Sequence, residues 1–147
     1  MKFRVAATAI GAIAAALLAT SPAQAAARGY DHQDPYKSGC GNSARVVRTA
    51  DLHNGADVVG TIQLMWSGKC KTNWVEIKTS ERAHGTISVF TQDDRSDQFS
   101  YRAGNGGRHW GNMLRANNMC AWGQASAMWG GGQGHQNASG HTTKACK

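Results

Sequence analysis

The stretch Gly60 to Ile77, GTIQLMWSGKCKTNWVEI, places the strongest constraint on the fold of this chain. Apolar side chains occupy every second position in both of its halves: Ile62, Leu64 and Trp66, then Val75 and Ile77. A period of two predicts β-strands, each with one buried face. The segment 67–73 between them contains the Gly, Ser and Asn that turns require, together with Cys70. The sequence therefore predicts a β-hairpin that a disulfide ties to another segment.

The amino-terminal residues have the organisation of a secretory signal peptide. Lys2 and Arg4 precede an apolar, alanine-rich run from Val5 to Thr20, and small residues suited to signal peptidase follow. The run is shorter than the roughly 20 residues that a membrane-spanning helix needs. We therefore predict that residues 1–25 are a signal peptide and that residues 26–147 form a single secreted, extracellular β domain without a transmembrane segment.

Four cysteines lie in the part of the chain that would be exported: Cys40, Cys70, Cys120 and Cys146. An even number of cysteines in an oxidising compartment indicates two disulfides. Of the three possible pairings we favour the one that joins Cys40 to Cys70, because each half of the domain then has its own disulfide. No C-x-x-C spacing supports a zinc site, so we expect neither a metal nor a cofactor.

The charge of the exported part is modestly positive. The predicted signal peptide holds two of the 16 basic residues and none of the nine acidic ones, which leaves a net charge of +5. The basic residues are scattered singly along the chain and form no run. We therefore expect a solvated surface and no specific binding of nucleic acid.

The segments around the central hairpin predict an all-β fold. Further strands are expected at 43–52, 86–91 and 98–102, and the turn at 53–57 carries an Asn-Gly signal. Short strands separated by glycine-rich turns are typical of small barrels and sandwiches. The sequence predicts a disulfide-stapled β-barrel or β-sandwich of five to seven short antiparallel strands.

Three later segments carry weaker signals. Residues 103–111, AGNGGRHWG, predict a flexible glycine-rich loop. Residues 113–129 show no decisive period, which allows either two short strands or a strand followed by a helical turn. Residues 130–147 contain few apolar side chains and predict no structure of their own, so only Cys146 would tie this tail back to the domain.

A set of short motifs resembles a known family. The motif GYDHQDP at Gly29 to Pro35 is followed by Gly39-Cys40, by Gly60 to Ser67 and by CKTNWV at Cys70 to Val75. This combination resembles the YjfA-like secreted bacterial proteins, domain-of-unknown-function family 2690, whose pattern runs Y-D-G-Q-D-P, G-C, V-E-L-R-Y-S and C-x-T-x-W-A-R. His32 stands where the family has Gly. The resemblance implies a small exported β protein and brings no assigned activity.

The sequence offers little support for catalysis. It contains no G-x-S-x-G, H-E-x-x-H or P-loop motif, and the two disulfides would leave no thiol nucleophile. A small basic ribonuclease would need a carboxylate base, a histidine acid and a cation, for which the candidates are Glu76 or Glu81, His84 or His109, and Arg82. No spacing requires those roles. We expect no enzyme, and a small basic secreted hydrolase such as a ribonuclease stays as an alternative.

The histidines do not predict a metal site. His135 and His141 lie in the glycine-rich tail, and His32 and His53 lie in other predicted loops. Their spacing matches neither a helical site nor a tight loop site. We therefore interpret them as surface histidines.

The tryptophans favour a binding protein. Five are many for a domain of this size, and Trp66 and Trp74, which flank the hairpin turn, are expected to fill the core. Trp110 and Trp129 lie beside glycine-rich segments, where a ring can stack on a sugar or anchor a protein interface. The candidate binding residues are Trp110, Trp129, Arg108 and His109.

We expect a monomeric, non-catalytic binding or interaction protein that acts outside the cell. Its partner would be another secreted protein or a cell-envelope polymer. A secreted protease or lysozyme inhibitor fits the same scaffold, because rigid loops lose little entropy on binding. The loop from Gly104 to Trp110 would then be the contact surface.

Overall fold

The computed structural model describes residues 29–131, 133–134 and 136–146. Its strands are β1 (Ala44–Asn54), β2 (Asp57–Ser67), β3 (Thr72–Lys78), β4 (Gly85–Thr91), β5 (Ser96–Tyr101), β6 (Arg108–Trp110), β7 (Leu114–Arg115), β8 (Ala121–Met128) and β9 (Asn137–His141). Short 3₁₀ turns occupy Cys40–Ser43 and Asn105–Gly107. The predicted signal peptide and His135 lie outside the described residues. Among the residues that are described, no helix has the length and apolar character needed to cross a membrane.

The strands form one antiparallel sheet that curls into a nearly closed barrel. Their order is β5-β4-β8-β9-β1-β2-β3-β6, and β7 adds to β3 beside β6. The two outer strands approach each other, since the Tyr101 ring of β5 stacks on the His109 ring of β6 with centroids 4.3 Å apart. No ladder pairs β5 with β6 in the described sheet. We call this gap between β5 and β6 the seam.

The number of strands corrects the expectation from the sequence. Nine strands form where five to seven were expected, and the sheet closes toward a barrel. The additional elements are β6, within the segment predicted to be a loop, and β9, within the tail predicted to lack structure. β9 inserts between β8 and β1, where it satisfies backbone groups of both neighbours. The tail is therefore part of the barrel wall.

The central hairpin forms as predicted. Ile62 pairs with Ile77 and Leu64 with Val75, and all four side chains are buried in the main core cluster. The expectation of one buried face is wrong for β3, because six of its seven residues are buried. The outer face of the hairpin carries a second apolar cluster, formed by Cys40, Met65, Cys70, Trp74 and Met113.

The opposite wall of the barrel is lined by small side chains. On β8 the inward positions are Ala121, Gly123, Ala125 and Ala127. A Cβ atom on Gly123 would lie 2.3 Å from Cγ2 of Val75. The bulky residues of β2, β3 and β4 therefore fill the interior, and β8 approaches them closely. Of the two alternatives for 113–129, the structure has two strands, β7 and β8, on either side of the turn at Asn117-Asn118.

Two disulfides join different parts of the chain to the barrel. Cys40 bonds to Cys70, which joins the amino-terminal segment to the hairpin turn, 30 residues away in sequence. Cys120 bonds to Cys146, 26 residues away, which joins the start of β8 to the carboxy-terminal end. This is the pairing that the sequence analysis favoured.

We predict that removing the second disulfide loosens β9 specifically. A loop of 26 residues gives a stabilisation of about 3 kcal/mol in the chain-entropy model. The double variant Cys120→Ser, Cys146→Ser should lose about that much free energy of unfolding in urea, and amide exchange should accelerate most in β9. Equal acceleration in β2 and β9 would contradict this assignment.

Candidate functional site

The amino-terminal segment Gly29–Gly39, which we call the strap, lies across the seam. On the β5 side, Nδ1 of His32 lies 2.6 Å from Oδ2 of Asp97. Oδ2 of Asp31 lies 2.7 Å from Nη1 of Arg95, in the turn that precedes β5. On the far side, Oδ1 of Asp31 accepts a hydrogen bond of 2.6 Å from the backbone N–H of Arg115 in β7. A single carboxylate thus links both sides.

The strap continues along the β6 side of the seam. The His32 N–H donates to the Met113 carbonyl at 2.8 Å, and the Met113 N–H donates to the Gln33 carbonyl at 2.9 Å. The indole Nε1 of Trp110 donates to Oδ2 of Asp34 at 3.1 Å. These bonds hold the strap against β6 and against Met113, which lies between β6 and β7, and they fix the indole ring of Trp110.

The buried carboxylate of Glu76 joins the strap to β3 and β6. Its side chain is 5% exposed. Oε1 accepts hydrogen bonds from the Tyr36 hydroxyl and, at 3.0 Å, from Nε1 of Trp74. Oε2 accepts from Nε and Nη2 of Arg108 at 3.1 and 2.7 Å. Nη2 of Arg108 also donates to the Tyr36 hydroxyl oxygen at 2.6 Å, so the three groups form a closed network.

Aromatic rings surround this network. The Tyr36 ring meets the Trp110 ring edge-on with centroids 4.9 Å apart, and the Arg108 guanidinium lies over both rings at 5.2 and 5.5 Å. Burial and the hydrogen bond to Glu76 raise the pKa of Tyr36 to about 12. The bond to Glu76 likewise raises the pKa of Arg108 above its usual value. Tyr36 and Arg108 therefore keep their protons at neutral pH.

A cavity of about 180 Å³ opens at the seam, beside the strap. Its lining combines two aromatic rings, two amides, a carboxylate and an imidazole: Phe99, Trp110, Asn105, Asn112, Asp34 and His109. We call it the seam pocket. Phe99 is 41% exposed although it is apolar and points to the same face of β5 as the buried Tyr101. The unpaired edge of the sheet is what exposes it.

The two titratable groups of the pocket have perturbed pKa values. Burial works to raise the pKa of Asp34, but hydrogen bonds from the Lys37 N–H, from Trp110 and from the Tyr36 N–H outweigh it and lower that pKa. Burial lowers the pKa of His109. At neutral pH the pocket therefore contains an ionised Asp34 and a neutral His109.

The structure brings together only part of the predicted binding set. Trp110 and His109 line the seam pocket, and Arg108 lies next to it with its donors directed at Glu76 and Tyr36. Trp129 instead packs against the main core cluster and does not line the pocket. Trp66 and Trp74 are buried, as expected.

Three pocket residues were missed from the sequence, namely Asp34, Phe99 and Asn112, whereas Asn105 lies in the loop from Gly104 to Trp110 that was expected to be a contact surface. The position of Asp34 in the GYDHQDP motif and the apolar Phe99 in a polar strand were the available signals. Neither signal shows which residues lie near Asp34 or Phe99 in the fold, because the seam brings together parts of the chain that are distant in sequence.

Of the carboxylate and histidine pairs considered for a ribonuclease, the pair of Glu76 with His109 does not form. Glu76 is paired in the sheet with Trp110, whereas His109 is paired with Ile77, so the two side chains point to opposite faces. His53 and His141 line a groove on β1 and β9 together with Asp51. Within residues 29–131, 133–134 and 136–146, however, no three His, Cys, Asp or Glu side chains converge as ligands of a metal.

The fold and the site define a disulfide-stapled, nearly closed antiparallel β-barrel whose seam is crossed by an amino-terminal strap. The chain belongs to the family described as "Protein of unknown function (DUF2690)", whose model matches residues 28–122. It is 34% identical over 58 residues to the uncharacterized protein YjfA of Bacillus subtilis (strain 168). That match covers 39% of this chain and spans 37% of the length of YjfA. No solved structure matches the chain.

The strap explains one difference from the family pattern. His32 replaces the Gly of the pattern and has a φ of 62°, in the left-handed region where Gly is favoured. The contact of His32 with Asp97 helps to offset the backbone cost of this substitution.

We predict that replacing Arg108 lowers the free energy of unfolding more than replacing Glu76, its partner in the ion pair. Arg108→Met leaves the buried Glu76 carboxylate without its cation, which should cost about 3 kcal/mol of unfolding free energy. Glu76→Gln keeps an acceptor for Tyr36 and Trp74 and leaves the cation on Arg108, whose side chain is 52% exposed, so its cost should be about half as large. Urea unfolding measures both, with Arg102→Met as the exposed control. A larger cost for Glu76→Gln would contradict the network.

We also predict an alkaline loss of stability that depends on Tyr36. Its raised pKa means that the protonated hydroxyl stabilises the fold below pH 10, and that this stabilisation is lost as the pH rises toward 12. Unfolding free energy should fall more steeply from pH 10 to 12 for the unmodified protein than for Tyr36→Phe. Tyr101 shares the raised pKa of about 12, so some slope should persist in the variant. Parallel curves would show that Tyr36 does not titrate in this range.

Proposed function

We propose that this chain is a secreted, non-catalytic binding protein that captures a saccharide unit of a cell-envelope polymer in the seam pocket. One observation carries the proposal. The exposed Phe99 and the half-buried Trp110 both line a cavity at an unpaired edge of the sheet, together with polar groups.

The size of the pocket suits one sugar ring. Its volume is about 180 Å³, and an engineered cavity of about 150 Å³ is known to admit benzene. A polymer chain could run along the surface while a single unit enters the seam. Among the residues that line the pocket, Phe99 is the exposed large apolar one, and Tyr30 and Tyr36 of the neighbouring strap are exposed to 37% and 36%.

The chemistry of the lining matches the two-sided character of a sugar. A pyranose ring has C–H groups on its face and hydroxyl groups around its edge. Phe99 and Trp110 contribute aromatic rings to the lining, which suit the first, and the amides of Asn105 and Asn112 can both donate to and accept from the second. A few polar groups placed beside aromatic rings are typical of ligand pockets.

The walls of the pocket are held in place before any ligand arrives. Trp110 is fixed by Asp34 and by the Tyr36 ring. The 3₁₀ turn Asn105–Gly107 is tied down by two backbone bonds, from the Gly104 N–H to the Glu81 carbonyl at 2.8 Å and from the Thr79 N–H to the Gly107 carbonyl at 2.9 Å. A preformed site loses little conformational entropy on binding, which favours affinity.

The proposal that the protein is secreted rests on the predicted signal peptide and is supported by the disulfides. Two disulfides with no free cysteine among the described residues suit an oxidising environment. Cell-envelope glycans are the saccharide polymers that an exported bacterial protein meets first. This is why an envelope polymer is proposed as the partner.

We predict that Phe99→Ala weakens saccharide binding about tenfold, because one stacking wall is lost. The measurement is calorimetric titration of the protein with oligomers of N-acetylglucosamine, the uncharged sugar of cell-wall glycan strands, and with poly(glycerol phosphate), an anionic envelope polymer. Trp110→Phe should weaken binding less, since an aromatic face remains.

The matched control is Val46→Ala, which removes a 44% exposed apolar side chain from β1, away from the pocket. Its affinity should equal that of the unmodified protein. Failure of the unmodified protein to bind either polymer would contradict the proposed function. Progressive shortening of the oligomers during the titration would favour the hydrolase alternative instead.

A further inference from the structure

We propose that a surface around the Cys40–Cys70 disulfide binds the phosphodiester groups of an anionic cell-envelope polymer. The surface, which we call the basic face, consists of Lys37, Arg45, Lys69 and Lys71. None of these residues belongs to the lining of the seam pocket, so the basic face is a second site. The choice of an envelope polymer as the ligand rests on the proposed function.

The fold gathers cations that are scattered singly in the sequence. Lys69 and Lys71 lie in the turn after β2, and Arg45 lies opposite the penultimate residue of β2. Opposing residues of an antiparallel pair have Cα atoms about 5 Å apart. The disulfide at Cys40 attaches the strap to the same turn, and Lys37 lies three residues earlier. Four positive charges therefore lie on the segments that meet at one turn of the barrel.

The side chains of the basic face are available to a ligand. All four residues are exposed. None of their side-chain nitrogens forms a hydrogen bond or an ion pair with another residue that the structure describes. By contrast, the guanidinium groups of Arg48, Arg95 and Arg108 hold parts of the fold together. The charges of the basic face are not used by the fold in this way.

No carboxylate competes for the basic face within the segments that form it. Residues 35–50 and 60–75 contain neither Asp nor Glu. Asp51, which follows on β1, is six residues from Arg45, about 20 Å along an extended strand. Asp31 of the strap is already in an ion pair. A polyanion would therefore meet uncompensated positive charge at the basic face.

Lys37 links the basic face to the seam pocket. Its backbone N–H donates to Oδ1 of Asp34 at 2.9 Å, and Asp34 lines the pocket. Burial raises the pKa of Asp34, whereas hydrogen bonds and the nearby Lys37 charge lower it. A polymer unit in the pocket would therefore have Lys37 beside it, at the start of the basic face.

The backbone of the turn favours a binding role for Lys71. Its φ is 59°, in the left-handed region where Gly has no steric cost. Its N–H donates to the Ser67 carbonyl at 2.8 Å, which holds this conformation. The chain thus places a cation at a costly backbone position where its charge serves no contact within the described fold. Strained positions of this kind are typical of ligand sites.

The test is calorimetric titration of the full exported chain with poly(glycerol phosphate), at about 50 and about 200 mM NaCl. The variant Arg45→Gln, Lys69→Gln, Lys71→Gln removes three charges of the basic face. The control variant removes the same number of exposed charges beyond the other end of β3: Lys78→Gln, Arg82→Gln, Arg102→Gln.

We expect the basic-face variant to bind the polymer at least tenfold more weakly at the lower salt concentration, and the control variant to remain within about twofold. The slope of log affinity against log salt should be shallower by about 2 in the basic-face variant, since each phosphate contact of a flexible chain contributes about 0.7. Its affinity for the uncharged N-acetylglucosamine tetramer should not change, because the removed charges lie outside the seam pocket.

Two comparisons identify the source of the phosphodiester. Poly(glycerol phosphate) that carries N-acetylglucosamine on its glycerol units should bind at least tenfold more tightly than oligothymidylate with the same number of phosphates, because the seam pocket engages the sugar as well. Vesicles of phosphatidylglycerol should bind more weakly than this sugar-bearing polymer at the same phosphate concentration.

Equal weakening in the two triple variants, or an unchanged salt slope, would overturn the basic face. Oligothymidylate or vesicles that bind as tightly as the sugar-bearing polymer would overturn the assignment to an envelope polymer. Binding of the tetramer without binding of poly(glycerol phosphate) would remove the basic face and leave the proposed function in place. Binding of poly(glycerol phosphate) that is sensitive to the basic-face variant, without binding of the tetramer, would instead remove the saccharide function of the seam pocket.

Discussion

The rest of the site depends on the buried carboxylate of Glu76. A desolvated charge is costly unless its hydrogen-bonding positions are filled, and here the strap, β3 and β6 each supply a donor through Tyr36, Trp74 and Arg108. β6 has three residues and pairs with β3 on one side only. The ion pair anchors this short strand at its first residue. It acts together with the pairing of β6 to β3 and the bond from Trp110 to Asp34, which hold the wall that carries His109 and Trp110.

The seam follows from how the barrel closes. The sheet ends at β5 and β6, which meet through the stacked rings of Tyr101 and His109 and not through backbone hydrogen bonds. The strap bridges the gap with Asp31 and Asp34, whose oxygens accept bonds from groups on both sides. What remains open between strap and sheet is the seam pocket. Closure by side chains thus produces both a stable barrel and an exposed aromatic edge.

The sequence predicted the parts of the fold that use large apolar side chains. Alternation at Ile62 and Leu64 gave the central hairpin, and Cys70 gave its connection to the strap. It did not predict β9, nor decide for β8, because their inward positions are Ala and Gly, such as Ala138 and Gly140, which hydrophobicity does not distinguish. A Cβ on Gly140 would lie 2.3 Å from the Asp51 carbonyl oxygen. In β8 and β9 the inward positions are marked by their small side chains and not by their hydrophobicity.

From the sequence alone, a residue of the site could be predicted only where its local sequence context indicated a role. Trp110 and His109 were identified from their glycine-rich context, whereas Phe99 and Asp34 acquire a role only once the sheet edges meet. The most direct test is to map backbone amide shifts as the N-acetylglucosamine tetramer is added to the ¹⁵N-labelled protein. The account predicts shifts confined to Asp34, to Phe99 and to residues 105–112. Shifts centred on the groove of His53 and His141, or on Trp129, would contradict it.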